Sequence, residues 1–159
     1  MEWSIKKGLE AQDLKLLNRQ ANPMQKDDNS DAINFRYTTG FSLNFLDSII
    51  YLVSTEDGTI HRCSKSYKEQ YLENYYGHTG PVYKVRCNPF WNEIFLTASA
   101  DWTCRVWNGK DDKGEKLVLQ SLDLSDEVYD IEWSPYCSTL FVSCAKDGRL
   151  ELWDLAKRS

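Results

Sequence analysis

The sequence contains no run of 18 apolar residues, so nothing in it reads as a membrane span. Its first residues carry no apolar h-region of the kind a secretory signal needs. A basic excess is also missing. Lysine plus arginine number 19 against 24 for aspartate plus glutamate, a formal net charge of −5. That balance lacks the electrostatic footprint expected for nucleic acid. Histidine is scarce, with His61 and His78 alone, and Cys63, Cys87, Cys104, Cys137 and Cys144 form no C-x-x-C pair. A zinc site needs clustered Cys and His ligands, so no metal is expected. The odd number of cysteines reads as buried, reduced thiols on the strands of a cytosolic protein. A phosphate-cradling glycine loop is absent as well. Gly-Lys-Asp-Asp-Lys-Gly at 109–114 lacks the P-loop spacing and reads as a solvated turn. Neither a cofactor nor a small-molecule substrate is therefore expected.

What is present is sheet-forming material and a repeat. Apolar residues make up 42% and aromatic residues 13% of the chain, a bias that suits strands. One block reads Asn88-Pro89-Phe90, Ile94-Phe95-Leu96-Thr97, Asp101, then Arg105-Val106-Trp107-Asn108. It recurs 46 residues later as Ser134-Pro135-Tyr136, Leu140-Phe141-Val142-Ser143, Asp147 and Glu151-Leu152-Trp153-Asp154. Register holds without a gap from Pro89/Pro135 to Trp107/Trp153. A period in the forties, opened by Gly77-His78 and closed by Trp-Asp or its equivalent, is the pattern of WD40 propeller blades. Stepping back 44 residues from Asp101 reaches Asp57-Gly58, with Ile50-Tyr51-Leu52-Val53 before it and Thr59-Ile60-His61-Arg62-Cys63 after it. This reads as a degenerate blade in which Cys63 stands where the others have Trp107 and Trp153.

The fold expected is all-β: an incomplete WD40 β-propeller of about three blades, each of four short antiparallel strands, with the last blade truncated. A closed propeller uses roughly 4–8 blades. Strands are expected near 39–45, 49–54, 59–63 and 70–75, then near 81–87, 93–99, 103–107 and 116–121, then near 127–133, 139–145 and 149–153. Residues 1–20 read as the end of a preceding blade and a connecting segment, with 8–20 either a short helix or an outer strand and loop. Residues 21–38 are polar and turn-rich and read as a loop. The degenerate blade covers 39–76, the complete WD40 blade 77–123, and a blade without its outer strand 124–159. A chain that starts and stops inside blades reads as part of a longer propeller.

Spacing in the middle blade suits a hydrogen-bonded set of His78, Thr97, Asp101 and Trp107. An ionised Asp101 accepts from the His78 ring, the other ring nitrogen accepts from the Thr97 hydroxyl, and the Thr97 oxygen accepts from the Trp107 indole. Buried polar groups need such partners, and a satisfied set stiffens its blade. Ser143, Asp147 and Trp153 keep three of the positions in the last blade, and the first keeps Asp57. A Ser/His/Asp-like catalytic reading of His78, Thr97 and Asp101 fails on placement. Thr97 should lie inside a strand beneath Trp107 with no oxyanion hole in view. No catalytic residue is expected.

Some aromatic residues sit in turns. Trp102 stands where Gly58 and Gly148 stand in the other blades. With Tyr76 and Thr79, which should open on the same face, it forms a candidate surface for a protein partner. The competing reading packs Tyr75 and Trp102 on neighbouring blades. Phe90, Trp91 and Tyr136, in turns on the opposite face, are expected to pack.

These residues resemble the dynein intermediate chains, and more closely the axonemal ones. The carrying segments are Gly58-Thr59-Ile60-His61-Arg62-Cys63-Ser64, Lys65-Ser66-Tyr67, Gln70-Tyr71-Leu72-Glu73, Gly77-His78, Pro81-Val82-Tyr83-Lys84-Val85, Asn88-Pro89-Phe90 and Ser99-Ala100-Asp101-Trp102-Thr103. Val128-Tyr129-Asp130-Ile131-Glu132-Trp133-Ser134-Pro135 fits as well. The resemblance covers residues 40–155 well and 1–20 weakly, and is nearest to the intermediate chain of the two-headed inner arm. It implies a non-catalytic scaffold subunit of an axonemal dynein complex, in the cytoplasm and the cytoskeleton of the cilium or flagellum. It implies that the propeller binds dynein heavy chain and supports arm assembly and motility. Other dynein intermediate and light chains are implied partners, the light chains through the family's N-terminal region. A cytoplasmic WD40 adaptor unrelated to dynein is the alternative.

Overall fold

A computed structural model describes residues 2–4, 10–12, 14–18, 37–109, 117–120 and 126–157. Every regular element among them is a strand. β1 (Glu2–Ser4) pairs antiparallel with β2 (Glu10–Gln12), Trp3 opposite Ala11. Of the two expectations for 8–20, Glu10–Gln12 thus takes the strand.

Three sheets follow. The first runs β3 (Gly40–Phe45), β4 (Ile50–Thr55), β5 (Ile60–Ser64) and β6 (Glu73–Tyr75), each paired antiparallel with the next. The second repeats this with β7 (Val82–Cys87), β8 (Ile94–Ser99), β9 (Cys104–Asn108) and β10 (Leu117–Gln120). The third holds β11 (Val128–Trp133), β12 (Leu140–Ala145) and β13 (Leu150–Asp154). Consecutive meandering sheets of this kind are blades of an incomplete WD40 propeller. Corresponding positions in the repeat share one register. Phe95 lies opposite Trp107, Phe141 opposite Trp153, and Tyr51 opposite Cys63. Phe95 stacks on Trp107 with planes 9° apart, and Phe141 on Trp153 with planes 12° apart.

Blades meet through alternating strand faces. Leu52, Ile60 and Tyr75 of the first bury against Val82, Val85, Phe95 and Trp107 of the second. Leu96, Ala98, Cys104 and Val106 of the second bury against Val128, Ile131, Trp133 and Phe141 of the third. Each fully buried Val, Leu or Ile contributes about 1.5–3 kcal/mol. Polar contacts fix the join along the inner strands. The Cys87 N–H donates to Asn44 Oδ1 at 2.9 Å, the Trp133 indole to the Arg86 carbonyl at 3.0 Å, and the Asn88 amide to the Ser138 carbonyl at 2.9 Å. The other side of the first blade is covered by the segment 14–18. Leu14 and Leu17 pack on Tyr51, Val53 and Cys63, and the Lys15 N–H donates to Tyr51 Oη at 3.2 Å.

None of the five cysteines is joined in a disulfide. Cys63 and Cys104 are buried, whereas Cys87, Cys137 and Cys144 are half-buried, and Cys137 lies in the turn after β11 rather than on a strand. That amends the expectation of five buried strand thiols. Burial pushes the Cys63 and Cys87 thiols up to about 12.

Candidate functional site

The middle blade brings His78, Thr97, Asp101 and Trp107 together. Thr97 is on β8 and Trp107 on β9, while Asp101 sits in the turn joining those strands and His78 in the loop that enters the blade. His78 Nδ1 is 2.9 Å from Asp101 Oδ2, and His78 Nε2 is 2.7 Å from Thr97 Oγ1. The Trp107 indole N–H donates to Thr97 Oγ1 at 2.9 Å. One assignment of protons satisfies every bond. The indole donates to Thr97, the Thr97 hydroxyl donates to Nε2, and Nδ1–H donates to Asp101. The imidazole is then neutral. Burial favours that state, holding the His78 pKa below its ordinary value against the pull of Asp101.

Asp101 is further bound. The Thr103 hydroxyl and N–H donate to Oδ1 at 2.6 and 3.0 Å, and the Thr79 N–H donates to Oδ2 at 3.2 Å. Burial alone pushes its pKa up, but the His78 ring and these donors outweigh burial and hold the carboxyl well below the usual range. Thr97 is fully buried on β8. The bonds of the set run between loop, turn and strands.

In the last blade the Trp153 indole donates to Ser143 Oγ at 2.9 Å. Asp147 there takes the Arg149 N–H at 3.1 Å and pairs with the Arg149 guanidinium at 3.2 Å. In the first blade the Thr55 hydroxyl donates to Asp57 Oδ1. An unforeseen set also occurs there. His61 is buried, its Nδ1 is 2.6 Å from Asn74 Oδ1, and its ring stacks on Tyr71. The Tyr71 hydroxyl in turn donates to the Asn18 carbonyl at 2.8 Å. A histidine and a tyrosine ten residues apart gave no spacing signal, because the strand pairing of β5 and β6 brings them together rather than any motif.

Among the candidate binding residues, Trp102 is 53% exposed and Thr79 is exposed, while Tyr76 is half-buried. Trp102 has φ +72°, close to the +83° of Gly58 and +89° of Gly148. The turn demands a left-handed residue, and Trp102 meets that demand at a steric cost glycine avoids. Tyr75 does pack, 1% exposed, with its ring edge-on to Phe95 at 4.9 Å. The opposite turns depart from expectation. Phe90, Trp91 and Tyr136 do not pack but are 52%, 62% and 93% exposed. Asn88 Oδ1 accepts the N–H groups of Phe90 and Trp91, an Asx turn that fixes the backbone and leaves both rings outside the core. Among the described residues, no group of three or more His, Cys, Asp or Glu is arranged to hold a metal ion, and no helix is long and apolar enough to cross a membrane.

Residues 4–159 match the family model described as the dynein axonemal intermediate chain 3 WD40 domain. Dynein axonemal intermediate chain 4 of Homo sapiens is 41% identical over 161 aligned residues, covering 97% of this chain and 18% of that protein. Dynein intermediate chain 2, ciliary, of Heliocidaris crassispina is 38% identical over 74% of this chain and 16% of its own length. The 78 kDa intermediate chain of the flagellar outer arm dynein of Chlamydomonas reinhardtii is 39% identical over 68% of this chain and 16% of its own length. The chain thus spans less than a fifth of the length of these relatives.

Proposed function

This chain belongs to the WD40 family of axonemal dynein intermediate chains, and on that premise we propose that its blades are a docking platform of a dynein arm. The role is that of an axonemal dynein subunit in the cytoskeleton of the cilium or flagellum. In the finer reading, the face carrying Trp102, Thr79 and Tyr76 receives the tail of a dynein heavy chain or another arm subunit. Through that contact the blades support arm assembly and motility. Other intermediate chains and the light chains are partners of the same complex. We assign no reaction to the chain, since Thr97, His78 and Asp101 are consumed in holding the blade together.

One observation carries the reading. Trp102 is a large aromatic residue kept in a left-handed turn position and left more than half exposed. A strained residue left this exposed points to a role outside the fold. Tryptophan is a favoured interface anchor, and truncating such an anchor costs about 2 kcal/mol or more, roughly thirtyfold in affinity. The test is Trp102→Ala in the intact protein, with heavy-chain co-precipitation and thermal stability read on the same sample. Weakened association at normal stability supports the platform. Normal association with a large loss of stability makes Trp102 a packing residue and removes the proposal.

A further inference from the structure

Three rings stand in a row along the inner strands. Phe41, Tyr83 and Tyr129 each occupy the residue at which an inner strand slips register against its neighbour, between Gly40 and Ser42, Val82 and Lys84, and Val128 and Asp130. Such a bulge leaves one residue out of the ladder and re-aims its side chain. Repeated in three adjacent blades, it sets the Phe41 and Tyr83 centroids 5.6 Å apart at 70°, and those of Tyr83 and Tyr129 5.3 Å apart at 69°. Both contacts are edge-to-face. The row nevertheless leaves Phe41 46% and Tyr129 43% exposed.

Carboxylates flank it. Glu56, which accepts the Thr39 N–H at 3.2 Å, stands at the Phe41 end. Asp126, Glu127 and Asp130 surround Tyr129 in the chain, and the Tyr129 hydroxyl donates to Glu127 Oε2 at 3.2 Å. Lys84 follows Tyr83 in the chain, and exposed Lys146 stands 3.5 Å from Glu127, a pair weak enough to exchange. Glu56 at one end and Asp126, Glu127 and Asp130 at the other, on a chain of net charge −5, give the row a carboxylate border.

We propose that this row is a docking surface for an extended basic segment of a partner protein, an arginine-bearing peptide whose guanidinium lies on the Tyr129 ring and pairs with Glu127. A cation within about 6 Å of an aromatic centroid is attracted by the ring, and a planar guanidinium also stacks on it. The adjacent carboxylate adds a charge-assisted hydrogen bond that an uncharged side chain cannot match. The surface lies on the inner strands, whereas Trp102 lies in a turn between the second and third strands of its blade, so the two are separable by mutation.

Fluorescence anisotropy of the full chain at physiological salt tests it. The probes are a fluorescein-labelled peptide of alternating arginine and glycine, and the same peptide with neutral citrulline for arginine. Arginine peptide should bind about tenfold or more tighter than citrulline peptide. Tyr129→Ala and Glu127→Gln should each weaken it about fivefold to tenfold in proteins that remain folded, while Trp102→Ala binds as the parent does. Equal binding of both peptides overturns the proposal, as does parental affinity in folded Tyr129→Ala and Glu127→Gln proteins. An equal loss in Asp154→Asn, at the opposite end of the blade, would reduce the effect to general charge attraction and overturn it too.

Discussion

His61 lies flat on Tyr71, ring centroids 3.8 Å apart and planes inclined by 6°. Its Nδ1 is engaged by Asn74, and its Nε2 is buried with no hydrogen-bond partner. A charge there is penalised by burial. Burial therefore lowers the His61 pKa below its ordinary 6.5, against the opposing pull of Asn74 and Asp57.

Linkage gives the sign. The unfolded chain takes up a proton near 6.5 before the folded one does, so stability is full above that value and falls as pH drops below it. His78, lowered by its own burial, acts in the same direction. The urea midpoint should therefore fall between about pH 7.5 and about pH 5.5. His61→Phe keeps an aromatic ring against Tyr71 and removes one of the two titrating groups. It should show a shallower fall, and an unchanged slope would exclude His61 as a contributor.

Asp101 governs a lower window. Its pKa is depressed on balance, so its contribution is present above the ordinary 3.8 and is lost as pH falls below it. Asp101→Ala removes the acceptor used by His78, Thr79 and Thr103, and should cost about 1–3 kcal/mol by chemical denaturation. Asp147→Ala at the matching position of the last blade should cost less, within about 0.5 kcal/mol, because Asp147 stands on an exposed turn rather than in a buried set. Equal costs at the two positions would mean that the buried set around His78 adds nothing beyond the turn itself.

The contrast between these two aspartates follows what a sequence can carry. Strand order in the second and third blades is legible because Pro89/Pro135 and Trp107/Trp153 hold one register, and a period of strands repeats with it. The first blade is legible through Asp57-Gly58 and the strand-like runs Ile50–Val53 and Thr59–Cys63 on either side of it. With Cys63 in the tryptophan position, nothing announced that His61, Tyr71, Asn74 and Asn18 would join. Turn aromatics divide on a point that pattern leaves open. Tyr75, at the end of β6, points into the join between blades, whereas Phe90 and Trp91 follow an Asx turn at Asn88 that leaves them outside. The bulges at Phe41, Tyr83 and Tyr129 were invisible, since a slipped register leaves the alternation of residues unchanged.

A further prediction concerns the third sheet. Cys104 and Val106 are each 2% exposed because Val128 and Ile131 cover them. The repeat places Leu150 and Leu152 at the matching positions, where they are 71% and 72% exposed. Neighbouring exposed leucines on a strand promote self-association. Leu150→Lys combined with Leu152→Lys should lower light scattering at high protein concentration while the melting temperature stays close to the parent's. A parent chain that sediments as a monomer at that concentration would sink this prediction.

The last prediction separates strain from contact at Trp102. Gly58 shows what its turn position requires. A Cβ there would stand 2.6 Å from the His78 carbonyl oxygen, and its φ of +83° suits glycine. At +72°, Trp102 pays the left-handed penalty of about 1–2 kcal/mol that side chains incur. Trp102→Ala keeps most of that penalty, because alanine retains the Cβ. Trp102→Gly relieves it, at an offsetting loss of about 0.5–1 kcal/mol from glycine's freedom in the unfolded chain. If the indole packs on nothing, Trp102→Gly should leave the protein as stable as the parent or more stable by up to about 1.5 kcal/mol, with Trp102→Ala at or slightly below the parent. Urea titration of the three proteins decides it. A loss above about 1.5 kcal/mol in the glycine variant would mean that the indole holds a contact worth more than its strain, and the exposed-anchor reading of Trp102 would fall with it.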